Sequence, residues 1–334
     1  MKPCGVLNPN SEDEVLGVLE KSPFNAVSVD DDQARVAPQE QRFANLSVVI
    51  PVRNEAQGLA SLLPELLAAL PGAEIILSDD GSTDGSCELA ASLGVQVARR
   101  PYGAGNGAAI KAGARAANRE WVVFMDGDGQ HRAQDVERLL ARLDEGYDMV
   151  VGARSAGGQA SRHRGLANAF YNRLASWMVG HPVKDLTSGF RVVRRKRFRE
   201  FLHLLPNGFS YPTTCTMAFF RAGYSVAYEP IDVQQRIKGT NSHVRILRDG
   251  ARFLLIIFKI GTLYSPVKLF APVSLAFFAA GLANYAYTYF AHGRFTNMSA
   301  LMFSASVIVF LIGLISEQIT ALMYKDADAG GSQR

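Results

Sequence analysis

Cysteine is scarce in this chain, with three thiols in 334 residues, at Cys4, Cys87 and Cys215. Their spacing fits neither a metal ribbon nor a disulfide framework, which excludes a cystine-stapled secreted domain and suits a reducing compartment. No apolar segment of signal-peptide type opens the sequence, so export of the large N-terminal part is not expected. Internal repeats and low-complexity tracts are missing too, which excludes a solenoid or a fibrous array. The most telling scarcity is of charge near the end. From about Val267 to Phe290, and again from Ser299 to Tyr324, nearly every residue is apolar or small. Each run exceeds the roughly 20 residues that cross a hydrocarbon core about 30 Å thick. A short polar break, Ala291–Met298, separates them, so the pattern predicts a membrane hairpin spanning 267–324.

Basic residues set the expected orientation. Arg236, Lys238, Arg245, Arg248, Arg252, Lys259 and Lys268 crowd the approach to the first span, whereas the break between the spans carries only Arg294. The expectation is an integral protein of the cytoplasmic (inner) membrane, with residues 1–266 and the tail 325–334 in the cytoplasm. Within 243–266, basic residues fall on one helical face and Ile246, Leu247, Phe253, Leu254, Ile257 and Phe258 on the others. Such a helix lies in the headgroup layer. Net charge is +4, yet residues 1–42 hold eight acids against four bases, which leaves the remainder at +8. That leader reads as an acidic, flexible extension. No nucleic-acid partner is expected.

Between these ends, residues 43–242 alternate short apolar runs with helical stretches of 10–15 residues. Strands are expected at 46–51, 74–78, 95–98, 121–125 and 149–152, then at two edges, 225–229 and 231–235. Helices are expected at 59–70, 86–93, 107–117, 134–143, 164–180 and 209–223, with irregular chain from Asp185. Strand–helix alternation implies an α/β fold with a mostly parallel sheet covered on both faces. The stripe Leu166, Phe170, Leu174, Trp177 and Met178 reads as core or membrane-facing packing.

Two acidic turns follow apolar strands, Asp79-Asp80-Gly81-Ser82-Thr83-Asp84 and Asp126-Gly127-Asp128-Gly129-Gln130. Carboxylates at strand ends and one residue apart suit a hard divalent cation, Mg²⁺ or Mn²⁺, with coordination positions left for substrate phosphates. Asp126, Asp128 and Gln130 are the candidate ligands. In the first turn, Asp79 and Asp80 suit acceptance of a base N–H and ribose hydroxyls, Glu55 stands where it would accept a ribose hydroxyl, and Asp84 could simply cap a helix. A competing signal is Gly103-Ala104-Gly105-Asn106-Gly107-Ala108, which matches the loose dinucleotide-binding pattern with Asp126 about 20 residues on. It keeps an NAD(P)-dependent oxidoreductase open as an alternative, although it leaves Asp128 and the 79–84 turn without a role.

The succession Val48–Glu55, Asp79–Gly85, Gly105–Ile110 and Asp126–His131 resembles family 2 glycosyltransferases of GT-A fold. Gly152-Ala153-Arg154, Asp185–Arg191 and Arg236–Ser242 resemble its polyprenyl-phosphate branch, and the likeness runs over about residues 45–324. The resemblance implies transfer of one sugar from a UDP- or GDP-linked donor to a polyprenyl (dolichyl or undecaprenyl) phosphate, with inversion, at the cytoplasmic face. It implies donor contacts from Pro51, Arg53, Glu55, Asp79, Asp80, Asn106, Lys111, Asp126 and Gly127, and metal ligation by Asp126, Asp128 and Gln130. It also implies acceptor-phosphate contacts from Arg154, Arg164 and Ser188, and a mobile loop carrying Arg236, Lys238 and Ser242. Asp126, Asp128 and Arg154 would be the catalytic set. The chain departs from the family where His243 stands in place of a frequent lysine, and near Thr213 and Thr214, where many relatives carry an acid. A processive polysaccharide synthase is the related alternative, suggested by Gln234-Gln235-Arg236, though no tryptophan follows and two spans are few for a polymer channel. A non-enzymatic membrane scaffold that kept the fold is the third. Small residues Ala279, Ala280, Gly281 and Gly313 suit helix packing and leave a homo-oligomer open.

Overall fold

A computed structural model of the chain describes residues 39–154, 162–208, 210–232, 258 and 261–331. After a short helix α1 (Gln39–Ala44) comes β1 (Leu46–Val52), then α2 (Ala56–Ala69), β2 (Glu74–Asp79), α3 (Ser86–Ser92), β3 (Gln96–Arg99), α4 (Asn106–Ala116) and β4 (Trp121–Phe124). Next are α5 (Ala133–Leu143), β5 (Met149–Arg154), α6 (Arg162–Val179), β6 (Arg191–Arg194), α7 (Arg195–Glu200), α8 (Tyr211–Arg221) and β7 (Val226–Ile231). Two long helices close the chain, α9 (Pro266–His292) and α10 (Asn297–Gly331).

The seven strands form one sheet in the order β3-β2-β1-β4-β6-β5-β7. Every pairing is parallel except those of β6, which runs antiparallel to both β4 and β5. β1 is buried at all seven positions, as a central strand covered on both faces must be. The side-chain period of two divides the core. Val49, Ile76, Phe124 and Val151 face one layer with Ile110, Phe198 and Phe219. Their neighbours Val48, Ile50, Ile75, Leu77, Val123 and Val150 face the other, packed on Leu59, Leu63 and Leu66 of α2 and on Val136 and Leu139 of α5.

The expected α/β alternation is present, with three differences. The chain after Asp185 is not wholly irregular: β6 and α7 follow, and β6 sits inside the sheet. Its four residues, two valines between two arginines, give no periodic signal of their own. The first expected edge strand, 225–229, is β7, which runs on to Ile231, while most of the second, 231–235, lies outside the described residues. The α6 stripe splits, with Met178 buried and Phe170 and Trp177 exposed. Residues 1–38, and all of the expected interfacial helix except Phe258 and the turn at 261–264, lie outside the described residues.

α9 and α10 pair as an antiparallel hairpin, and each is long and apolar enough to cross a membrane. Ser274 and Ser306 donate to each other's backbone carbonyls at 2.9 Å. Asn284 Nδ2 donates to Ser299 Oγ at 3.2 Å. Close packing falls where glycines allow it, with Gly281 against Met302 and Phe303, and Gly313 against Phe270. α10 continues as helix past the expected end of the span to Gly331.

The start of α4 is welded to the segment after α7. A Cβ on Gly107 would lie 2.0 Å from the Pro206 carbonyl oxygen, a backbone atom with no freedom to retreat, whereas a Cβ on Gly208 meets nothing within 4 Å. Gly107→Ala is therefore expected to destabilise the protein by about 2 kcal/mol or more, the scale of overpacking, while Gly208→Ala stays near wild type. Thermal unfolding of the two variants in the same detergent checks this; equal midpoints would contradict the close approach.

Candidate functional site

The carboxyl ends of β1, β2 and β4 open into one cleft of about 420 Å³. Pro51, Val52, Arg53, Glu55, Asp80, Gly105, Asn106, Ala109, Asp126, Gly127 and Asp128 line it. Ligands bind outside the carboxyl ends of strands in open α/β sheets, because there the loops and helix starts converge.

Short polar side chains build the near wall. Asp80, almost fully buried, accepts from the backbone N–H groups of Ala104 at 2.9 Å and Gly105 at 2.7 Å, which pins the glycine loop to the end of β2. Arg100 Nε lies 3.7 Å from the same carboxylate. Asp84 caps two helices at once, accepting from the Ala56 N–H at 2.9 Å and the Ser86 N–H at 3.1 Å. Ser82 Oγ accepts from the Asn54 N–H at 2.9 Å, and Asn54 Oδ1 accepts in return from the Thr83 N–H at 2.9 Å. These bonds hold Asn54 at a φ of 58° and present Arg53 and Glu55 to the cleft.

The far wall carries the second acidic turn. A Cβ on Gly189 would sit 3.3 Å from both Asp126 Oδ2 and Tyr211 Oη, so the 185–190 segment passes directly over the Asp126 carboxylate. Tyr211 Oη donates to the Gly189 carbonyl at 2.8 Å. Below lies Arg191, fully buried, which donates to the Pro212 carbonyl at 3.0 Å, to Thr216 Oγ1 at 3.1 Å and to the Ser188 carbonyl. Arg154, at the end of β5, is held in plane by Asp185: Nε donates to Oδ2 at 2.8 Å and Nη2 to Oδ1 at 3.0 Å, with Thr187 Oγ1 at 2.5 Å. Its pKa is raised by that pairing and by the Asp126 charge, which places a fixed cation within reach of the carboxylates. Burial by itself would raise the Asp185 carboxyl, but the Arg154 guanidinium and the backbone N–H donors hold it below the ordinary value of 3.8. His131 stacks on Phe190 with ring centroids 4.7 Å apart. Burial keeps it neutral against the pull of Asp126 and Asp128.

Of the residues expected at the site, Pro51, Arg53, Glu55, Asp80, Asn106, Asp126, Gly127 and Asp128 share the cleft. Four of the expected contacts differ in the structure. Asp79 is fully buried and turned into its own loop, accepting from the Ser82 N–H at 3.0 Å and the Gly81 N–H at 3.2 Å, so it shapes the turn and does not line the cleft. Lys111 points away, donating to the Leu205 carbonyl at 3.1 Å and to Asn207 Oδ1. Ser188, within the 185–190 segment, is buried, its N–H donating to Asp185 Oδ1 at 3.1 Å. Gln130 does not line the cleft; its N–H donates to Asp128 Oδ1 at 3.2 Å. Arg236, Lys238 and Ser242 lie outside the described residues, as does the side chain of Arg164 on the first turn of α6. The sequence reading missed Asp185, Arg191 and Tyr211 as supports of the site. Asp185 and Arg191 bracket the Asp185–Arg191 motif, whereas nothing local marks Tyr211.

The glycine motif is a joint and not a dinucleotide cradle. The N–H groups of Gly107 and Ala108 donate to the carbonyls of Gly208 at 3.1 Å and Asn207 at 2.8 Å. Those first-turn donors are the ones a pyrophosphate would need, so the oxidoreductase alternative loses its anchor.

A family model for "Glycosyl transferase family 2" matches residues 47–202, and one for the "GtrB C-terminal hairpin" matches 265–322. Glycosyltransferase AglJ of Haloferax volcanii is 27% identical over 288 residues, covering 82% of this chain and 93% of the relative. The polyprenol monophosphomannose synthase of Mycolicibacterium smegmatis is 30% identical, covering 63% of this chain and 84% of its own length. The dolichyl-phosphate hexose transferase of Haloferax volcanii is 30% identical, with 59% and 86% covered. Among solved structures, glucosyl-3-phosphoglycerate synthase of Mycobacterium tuberculosis, in complex with Mn²⁺, UDP-glucose and phosphoglyceric acid, superposes with a TM-score of 0.52 at 20% identity, covering 67% of this chain and 83% of that one. That likeness establishes the GT-A type of fold.

Asp185→Asn should cost about 1.5 kcal/mol at neutral pH, the low end for charged hydrogen bonds, because 35% of the Arg154 side chain is exposed to screening solvent. A carboxyl whose folded pKa is depressed contributes above its unfolded pKa and loses that contribution as pH falls through the folded one. The wild-type advantage in thermal midpoint should therefore be flat above about pH 5 and shrink below the ordinary value of 3.8. An advantage that persists unchanged into stronger acid would contradict the pairing.

Proposed function

The chain belongs to glycosyl transferase family 2, and on that premise we propose that it transfers one sugar from a nucleoside-diphosphate sugar to a polyprenyl phosphate at the cytoplasmic face of a membrane. The observation that carries the reading is the meeting of Asp126, Asp128, Asp80 and Glu55 in a single cleft, on a chain that ends in an apolar hairpin. Relatives named for polyprenyl-phosphate chemistry support the acceptor class. Besides the two already described, the undecaprenyl-phosphate 4-deoxy-4-formamido-L-arabinose transferase of Photorhabdus laumondii is 33% identical over 167 residues, covering 46% of this chain and 50% of its own length.

Asp126 and Asp128 suit a hard divalent cation, Mg²⁺ or Mn²⁺. No group of three or more His, Cys, Asp or Glu side chains placed to hold an ion occurs among the described residues. A set as small as Asp126 and Asp128 would leave coordination positions for phosphate oxygens. When bound, the ion supplies neutralising charge to a departing nucleoside diphosphate.

The chain's own residues do the rest. Glu55 accepts a ribose hydroxyl, and Asp80 keeps the 103–105 loop closed against the nucleotide. Arg154, oriented by Asp185, offers a planar cation to the acceptor phosphate. That phosphate monoester is already ionised near neutral pH, so no strong general base is required. Its oxygen bonds to the anomeric carbon as the bond to the diphosphate oxygen breaks and the electron pair leaves with the nucleoside diphosphate. A single displacement of this kind inverts the anomeric centre. Positioning and charge supply most of the rate.

The reading predicts that membranes carrying the protein, given a panel of radiolabelled nucleotide sugars with Mn²⁺ or Mg²⁺, transfer label into the lipid extract. EDTA should abolish transfer, and Asp128→Asn should lower it by about 10³-fold or more, the scale for loss of electrostatic stabilisation at a reacting centre. Label appearing in a water-soluble polymer would instead favour a processive synthase. Transfer indifferent to EDTA and to Asp128→Asn would overturn the assignment.

A further inference from the structure

Glu317 is the sole charged residue between Asn297 and Met323, the part of α10 apolar enough to span a membrane. It lies six residues before Met323, roughly 9 Å along the helix. A lone carboxylate at such depth is costly and takes a partner. Its partner is Arg221, the last residue of α8, in an ion pair where both side chains are mostly covered.

α8 is an 11-residue rod with the candidate site at its other end. There, Tyr211 Oη holds the Gly189 carbonyl at 2.8 Å, beside Asp126. Hydrogen bonds to backbone carbonyls fasten the same junction. Tyr264 Oη donates to the Thr214 carbonyl at 2.9 Å, Lys268 Nζ to the Met178 carbonyl at 2.8 Å, and Thr320 Oγ1 to the Thr262 carbonyl at 3.5 Å. Those hydrogen bonds end on backbone carbonyls, whereas the ion pair couples the end of α8 to one side chain of the hairpin.

We propose that Glu317 is a positioning residue, which through Arg221 and α8 fixes the height of the Asp126–Asp128 cleft above the membrane surface. The proposal rests on the functional reading given above, since height matters only for an acceptor whose phosphate is confined to a bilayer. A phosphate that cannot leave the headgroup plane reacts only if the cleft stands at the matching level, and a misplacement of about 1 Å is enough to slow a reaction strongly. A free acceptor carries no such restriction.

The test uses the full chain in nanodiscs, with wild type, Glu317→Gln, Glu317→Asp and the exchanged pair Arg221→Glu/Glu317→Arg. One acceptor is a long-chain polyprenyl phosphate in the bilayer; the other is a water-soluble phosphate bearing two isoprene units. Glu317→Gln should lose about tenfold in kcat/KM for the bilayer acceptor, consistent with a small displacement, with the KM for donor and the rate on the soluble acceptor unchanged. Glu317→Asp and the exchanged pair should recover most of the loss. Equal losses on both acceptors, or none on either, would overturn the proposal. Cleft height is read separately by a spin label at Tyr102→Cys, an exposed position on the loop leading into the cleft, in a Cys4→Ser background with lipid-borne relaxation agents. An unchanged label depth in Glu317→Gln also overturns it. If wild type transfers to neither acceptor, the functional reading fails, and a shifted label still reports that the ion pair sets the height.

Discussion

Two carboxylates one residue apart at the end of β4 repel each other, and much of the fold answers that repulsion. Asp126 and Asp128 share an open cleft, where water and ions reach them. Their neighbours on the closed side are cationic or hydrogen-bonding. Arg154 is fixed by Asp185, Arg191 is buried beneath the Ser188 and Pro212 carbonyls, and Tyr211 grips the Gly189 carbonyl. A buried guanidinium tied to carbonyls polarises the floor of the site. Such an arrangement holds concentrated negative charge ready for a cation and a diphosphate, and the unfavourable local energy is offset by the sheet and its two covered faces.

The same chemistry is used twice with opposite outcomes. In the 79–84 turn the carboxylates of Asp79 and Asp84 are spent on backbone N–H groups, and Asp80 divides its role between pinning the glycine loop and lining the cleft. In the 126–130 turn the acids are presented outward. Strand-end acids thus serve architecture, chemistry or, as at Asp80, both.

Which outcome applies was only partly legible from the residues. The first five strands and their order along the chain follow from apolar runs, and the cleft acids follow from their place after those runs. Asp79 and Asp80 are indistinguishable on that basis, because consecutive strand residues face opposite ways and the end of the strand decides which one turns inward. β6 escaped because two valines between arginines carry no period, and its place between β4 and β5 depends on pairings far away in the chain. Lys111 misled for a related reason: it sits on the helix that opens the cleft, but its amine answers carbonyls more than ninety residues later. Tyr211 and Arg191 matter through contacts of this long-range kind.

The reversal of β6 has a consequence for how such a chain diversifies. Because it runs against its neighbours, its beginning, and not its end, reaches the rim, so residues 185–190 enter from a direction no ordinary strand–helix loop takes. One bank of the cavity is thereby drawn from positions 51–109, and the opposing bank from positions 126–211. Drift in either half leaves the strand pairings of the other in place, so the two banks are free to diverge separately while the channel between them endures.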